Sequence, residues 1–423
     1  MDPSQTLQEM SAKSLALRIF SDPDVLYTTD RKFPEVLSNL IYKELTDSPD
    51  SMSREVVDTV TLRLKLGDLS FKSCPLSKAT INLVRFNEVK YFALGDAKQF
   101  EQEITRNTRN FILRVFEKGN RECLLEMDLS GRAGFKPDVN GQLSRNWNEI
   151  GKHFPSLHTL NISHRLFPDS DLENIAFYFS QITTLDISNT LIASLDGISV
   201  MKNLVTLIMK HLIFEQSEDI SDIANLQNLK TLNVSFSQPS FVEHMMKEVI
   251  VLENLRFLDC SGTNTTVKEI SYILETCQKL TKIALVQTLA QEHKFNAPGI
   301  EILSIATPHQ AVNSLVYYTS ENLESCVYTC IECLNPLLQY PIPDTRFDPE
   351  QCLKAICKTS KTFSIYDKWR PLATNALTAL VKNYQDVIHP RHLYHACIKI
   401  EEMGGQLGDV KETVLKMWKN RID

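Results

Sequence analysis

The chain has 423 residues, 43% of them hydrophobic and 23% charged, with a formal net charge of -7. That length exceeds one compact core and predicts two or three domains. The acidic balance argues against nucleic acid or anionic membrane as the main partner, since both select clustered Lys and Arg.

Residues 1–60 are expected to be helical. Leu7, Met10, Ser14, Leu15, Leu17 and Ile19 give an amphipathic pattern that Pro23 limits. A second helix is expected after Phe33-Pro34, with Val36, Leu37, Leu40, Ile41 and Leu45 at helical spacing. Proline fits a helix start because its missing N–H has no intrahelical partner there. The stretch TDSPDSMS at 46–53 reads as a linker. The opening MDPSQTLQEM has no basic region followed by an apolar core, so no secretory signal is expected, and no apolar run is long enough to span a bilayer. The ten cysteines lack framework spacing and are expected as reduced thiols in the cytoplasm or nucleus.

Residues 61–307 carry a repeat. The pattern L-x-x-L-x-L starts clearly at Leu157, Ile182, Leu204, Leu229, Leu255 and Leu280, at intervals of about 22–26 residues. Weaker copies are Leu66-Leu69-Phe71, Val89-Phe92-Leu94, Leu124-Met127-Leu129 and Ile300-Leu303-Ile305. Each triplet predicts a short strand whose apolar residues enter one continuous core. The segments between, such as 170–180 and 267–278, predict helices on the convex side. One repeat cannot bury its apolar face alone, so stacking stabilises each.

Residues 308–423 lose the triplet. Helical patterns run over 309–339, 349–360, 370–385, 391–403 and 408–420, punctuated by Pro341, Pro343, Pro349, Pro371 and Pro390. The expected fold is therefore an α/β leucine-rich-repeat solenoid followed by an all-α armadillo- or HEAT-like region, with a short helical N-terminal box.

Two rows of polar residues belong on the concave face. The first is Asp128, Asn161, Asp186, Ile208, Asn233 and Asp259; two residues later stand Ser130, Ser163, Ser188, Lys210, Ser235 and Ser261. Neighbouring strands lie about 5 Å apart, so the rows form one strip. It reads either as an acidic binding face for a basic or polar peptide or as a habit of the repeat, bonding to its own turns. Ile208 and Lys210 break the pattern and are the expected place of specificity.

Cys326, Cys330 and Cys333 lie on one helix face, which favours core packing over zinc. His389, His392, His395 and Cys397 are expected at a partly exposed helix start rather than around a metal. No phosphate loop, nucleophile elbow, zinc-protease motif or dinucleotide glycine pattern occurs. No enzyme activity and no cofactor are expected.

The segments LDISNTLI at 185–192, LVTLIMKHL at 204–212 and LRFLDCSGT at 255–263, with SLALRIF at 14–20 and FPEVLSNLIYKEL at 33–45, resemble the Zyg-eleven and Zer family of cullin-2 ubiquitin ligase substrate receptors. The resemblance implies a non-catalytic receptor whose N-terminal box binds elongin B/C and cullin-2 and whose repeats hold a substrate protein. It places elongin and cullin contacts at Ser14, Leu15, Ile19, Phe33, Pro34, Val36 and Leu40. Ile19 stands where the family's box has cysteine. Substrate contacts are expected at Asp128, Asn161, Asp186, Ser188, Ile208, Lys210, Asn233 and Asp259. Family members carry a longer armadillo-like array whose later repeats read an N-terminal glycine degron, and no residue here is matched to that pocket.

Overall fold

The computed structural model describes residues 7–22, 25, 32–46, 53–74, 76–95, 100, 108–131, 147–164, 170–214, 218–340, 345–363, 370–405 and 409–419. Most of the expected linker at 46–53 lies outside them. The chain divides into two compact units, Met1–Asn233 with Lys247–Asn254, and Val234–Met246 with Leu255–Asp423.

The first unit begins with helices α1 (Leu7–Ser21), α2 (Glu35–Thr46) and α3 (Arg54–Arg63). Pro34 sits immediately before α2, and the Ser53 hydroxyl caps α3 by accepting the Val56 N–H. Seven strands of three residues follow: β1 (Asp68–Ser70), β2 (Tyr91–Ala93), β3 (Glu126–Asp128), β4 (Thr159–Asn161), β5 (Thr184–Asp186), β6 (Thr206–Ile208) and β7 (Thr231–Asn233). Each pairs in parallel with the next. Short helices α4 (Ile81–Arg85), α5 (Thr108–Val115), α6 (Lys118–Arg121), α7 (Trp147–His153) and α8 (Ser170–Tyr178) lie between the earlier strands. Between the later strands the described residues make 3-10 turns, at Ile198–Val200 and Glu218–Asn225.

The leucine triplet explains the core. In β4 to β7 the central residues Leu160, Leu185, Leu207 and Leu232 are all fully buried. A phenylalanine row, Phe71, Phe92, Phe116 and Phe154, extends this core with ring centroids 5.9, 5.0 and 5.3 Å apart in succession.

The edge of β1 is covered by α2. Asn39 Oδ1 accepts the Gly67 and Asp68 N–H groups at 3.1 and 3.3 Å. The Ser38 hydroxyl accepts Lys65 N–H at 3.0 Å, and the Tyr42 hydroxyl donates to Ser70 C=O at 3.2 Å. An unpaired strand edge is a pairing liability, and these side chains occupy it.

The second unit holds α9 (Phe241–Lys247, whose last residue clusters with the first unit), β8 (Phe257–Asp259), α10 (Val267–Thr276), β9 (Lys282–Ala284) and β10 (Glu301–Leu303). β8, β9 and β10 pair in parallel. Thr266 and Glu269 form a reciprocal capping box on α10. Six helices follow: α11 (Pro308–Ser320), α12 (Glu324–Leu337), α13 (Pro349–Thr362), α14 (Arg370–Asn383), α15 (Pro390–Glu402) and α16 (Asp409–Lys419). Three start alike, with a capping side chain from Thr307, Asp348 or His389 followed by proline at the first helical position. The single helical run expected over 309–339 is two helices. Asn322 adopts φ 55° between them, a left-handed conformation that Asn tolerates better than most residues. α11 packs on α12 and α13, α12 on α14, and α13 on α14 and α15. These are paired helices stacked in two layers. The fold is thus a leucine-rich-repeat array followed by an all-α region. Among the described residues no helix is long and apolar enough to cross a membrane.

Candidate protein-binding face

Residues at the first and third positions of each strand face away from the leucine core. The third positions of β3 to β7 are Asp128, Asn161, Asp186, Ile208 and Asn233, joined in register. Most of them are committed to the backbone. Asp128, Asn161 and Asp186 each use Oδ1 to accept the N–H two residues on, from Ser130, Ser163 and Ser188 at 2.8, 2.9 and 2.9 Å. This is an Asx-turn, repeated once per strand. The residue after each serine is left-handed: Gly131, His164 and Asn189 have φ 127°, 61° and 55°. Their N–H groups donate to the next repeat, at Ser163, Ser188 and Lys210 C=O.

Ile208 has no side-chain oxygen, so the turn needs another acceptor. The Ser188 hydroxyl of the preceding repeat takes the Lys210 N–H at 3.0 Å. Ser188 is therefore buried and structural. Asn233 is also buried, whereas Asn161, Asp186, Ile208 and Lys210 are half-buried. The strip open to a ligand is consequently narrower than the two rows in the sequence.

Asp128 is itself engaged, by Lys72 Nζ at 2.6 Å from Oδ2. Burial lowers the Lys72 ammonium's tendency to hold its proton, but the Asp128 contact outweighs it and the pKa is raised. Asp186 makes no ion pair among the described residues. Burial pushes its carboxyl above the ordinary range, against the bonds from Ser188 and the pull of Lys210.

Asp259 departs from the expectation of an exposed contact. It is fully buried within the second unit. Oδ1 accepts Ser261 N–H at 3.0 Å and the Ser261 hydroxyl at 2.5 Å, and Oδ2 accepts the Tyr317 hydroxyl at 2.8 Å. The Tyr318 hydroxyl lies 2.6 Å from Ser261 Oγ. Helix α11 covers the position, so its carboxylate serves packing and not a ligand.

Sequence reasoning missed a threonine row. Thr159, Thr184, Thr206 and Thr231 occupy the first position of β4 to β7, paired side by side and each half-buried. The signal was present two residues before each Asp or Asn, on the same face of a strand. Lys72 and Tyr91 were missed as well; they come from the two weakest repeats.

The N-terminal residues separate into three environments. Ser14 is exposed and Leu15 half-buried, beside Met10, Ser11 and Arg18 at a shallow groove. Val36, 66% exposed, and half-buried Leu40 line a different groove of about 540 Å³, between α2 and the strand residues Asp68, Ser70 and Tyr91. Phe33 is half-buried and Pro34 exposed. Ile19 belongs to neither groove. With Ala12 and Ala16 it forms the buried stripe of α1, which packs on α2, and it is 0% exposed. As folded, Ile19 cannot touch a partner; its size suits an internal contact.

Cys326 and Cys330 are fully buried in the helical core, and Cys333 is half-buried. Among the described residues no group of three or more His, Cys, Asp or Glu is placed to hold a metal ion. His389 caps α15 through Nδ1, while His392 Nδ1 lies 3.2 Å from Glu350 Oε1. Glu350 also accepts Lys354 Nζ at 2.6 Å and His389 N–H at 3.0 Å, which hold its carboxyl down at about 2.

Fold and face together define a leucine-rich-repeat chain with an all-α extension. Gastrulation-defective protein 3 of Caenorhabditis elegans is 25% identical to it over 381 residues, 86% of this chain and 52% of that protein. The chain thus spans about half the length of this curated relative. No family model matches. Among solved structures, a TLR13–ssRNA13 complex is similar at 16% identity over 57% of this chain and 34% of that one, with a TM-score of 0.36. An internalin, inlF, of Listeria monocytogenes is similar at 12% identity over 60% and 84%, with a TM-score of 0.35.

Proposed function

We propose that the chain is a non-catalytic substrate-recognition subunit of a cullin-2 RING ubiquitin ligase, of the Zyg-eleven and Zer type. In this reading α1 and α2 dock elongin B/C and cullin-2 through Ser14, Leu15, Phe33, Pro34, Val36 and Leu40. The strip around Asn161, Asp186, Ile208 and Lys210 holds a substrate protein. The observation that carries the reading is the order of parts: a helical pair whose second helix covers the first strand, then leucine-rich repeats, then stacked helix pairs. The likeness to the worm protein supports it, because 86% of the chain is more than the repeats alone supply.

Co-purification of the full chain with elongin B/C and cullin-2 tests this, beside Leu15→Asp and Val36→Asp. Capture by the parent, lost in the variants with an unchanged melting temperature, is the expected result. A folded parent that captures neither component overturns it. A second reading, a stand-alone interaction scaffold without ligase contact, is favoured by the burial of Ile19 at the position of the family's box cysteine.

A further inference from the structure

A third groove, of about 640 Å³, lies wholly within the second unit. One wall is a face of α12: Thr329, Glu332, Cys333, Pro336 and Leu337 stand at i, i+3, i+4, i+7 and i+8. An adjoining stripe of the same helix, including Cys326, Cys330 and Leu334, is buried in the helical core. The other wall comes from the segments after β9 and β10, with Glu292 on the first and Ile305 to Pro308 on the second. The walls are tied together. Gln287 Nε2 donates to the Thr329 hydroxyl at 2.9 Å, and Cys333 Sγ reaches Ile305 C=O at 3.7 Å. The groove is therefore preformed.

Its chemistry has two parts. Ile305, Pro308, Pro336 and Leu337 make an apolar floor. Glu292 and Glu332 stand exposed at its rim, and neither has an ion-pair partner among the described residues. After burial, these same two carboxylates are what raises the Cys333 thiol, so both act on one spot in the groove.

We propose that this groove binds a lysine or arginine side chain of an extended peptide segment from a partner protein. An aliphatic occupant leaves two neighbouring carboxylates uncompensated, and a small cation leaves the floor wet. A basic side chain lays a hydrocarbon stem on apolar surface and carries its charge at the end. The site is separate from the strip on the first unit's sheet, and it holds whether or not the N-terminal helices dock a ligase.

Cys333 supplies the readout. The full chain is treated with iodoacetamide and alkylation is followed at each cysteine by mass spectrometry. The probes are pools of acetylated, amidated nonapeptides, random except for a central lysine, arginine, norleucine or glutamate. The lysine and arginine pools are expected to slow Cys333 alkylation at least threefold, with Cys123 unaffected. Protection is expected to vanish in Glu292→Gln/Glu332→Gln, whose two exposed substitutions leave the melting temperature unchanged. The proposal is overturned if no pool protects, if norleucine protects as well as lysine, if free spermidine protects as well as the lysine pool, or if the double variant stays protected.

Discussion

Asp259→Ala and Tyr317→Phe are expected to cost far more than their sequence context implies, and to be coupled. Asp259 is 0% exposed and accepts three hydrogen bonds, one from Tyr317 at 2.8 Å. Removing the tyrosine hydroxyl strands a buried carboxylate oxygen, at a cost of about 2–3 kcal/mol. Removing the carboxylate strands the Ser261 N–H and the Tyr317 hydroxyl, at about 2–4 kcal/mol. The Tyr317 hydroxyl is lost only once, so the double variant should be less destabilised than the sum by about 1.5 kcal/mol. Hydrogen exchange with mass spectrometry, on peptides covering residues 257–262 and 312–320, gives the local opening free energies. Additivity within about 0.5 kcal/mol would refute the reasoning, since contacting groups that share a bond do not add. Asp186→Ala is the comparison: the same repeat position, half-buried, with an expected loss of about 1 kcal/mol from one turn bond.

Leu185→Ala truncates a fully buried strand centre and should destabilise the first unit by about 2–5 kcal/mol in urea unfolding. Gly262→Ala should lower the melting temperature, because Gly262 has φ 68° and an added Cβ would run into the Phe236 ring; an unchanged melt would refute both the strain and the clash. Asp186 has a raised pKa, so its protonated form favours the fold. Stability from this group is full below about pH 4 and is lost as pH rises through the folded pKa. Asp186→Asn should therefore gain on the parent as pH rises from 3 to 7, read by thermal melts across that range. Glu350 has the opposite sign. Its carboxyl is held down at about 2, so its contribution is present above its ordinary range and fades as pH falls toward 2. Glu350→Gln should cost no more than about 1 kcal/mol at pH 7, since the site is largely solvated, with the deficit disappearing in acid.

The repeat strands were legible because burial of one residue in two leaves a mark that survives the loss of everything else. Leu157-Leu160-Ile162 and its successors through Leu280-Ile283-Leu285 are buried, but the last copy, Ile300-Leu303-Ile305, is read one residue late: Ile302 pairs with Ile283, and Ile300 and Ile305 are half-buried. Helix starts in the all-α region were legible through proline, which occupies the first position of three helices. The break at Asn322 was not, because the apolar pattern continues across it and a left-handed turn leaves only one residue as a sign. The polar strip was half legible. Its periodicity placed the side chains on one face, but periodicity does not tell which repeat another element covers. Asp186 and Asp259 read identically, and only α11 makes them different. Ile19 shows the same limit: helical spacing places it on α1, and the packing of α2 decides that it faces inward.

The left-handed residue of the repeat turn has a consequence for how such an array varies. In the first unit it is Gly131, His164, Asn189 and His211, and in the second Phe236, Gly262 and Gln287. A non-glycine residue there costs roughly 1–2 kcal/mol of backbone energy, whatever its side chain. Where the residue's N–H reaches the next repeat, as in His164, Asn189 and Phe236, that bond offsets the cost. In those turns the position carries imidazole, amide or phenyl at little cost to folding, whereas at Gly262 the Phe236 ring leaves no room for a Cβ. Mutational drift can write new surface chemistry at this place in the turns that have the room and leave the backbone register as it was.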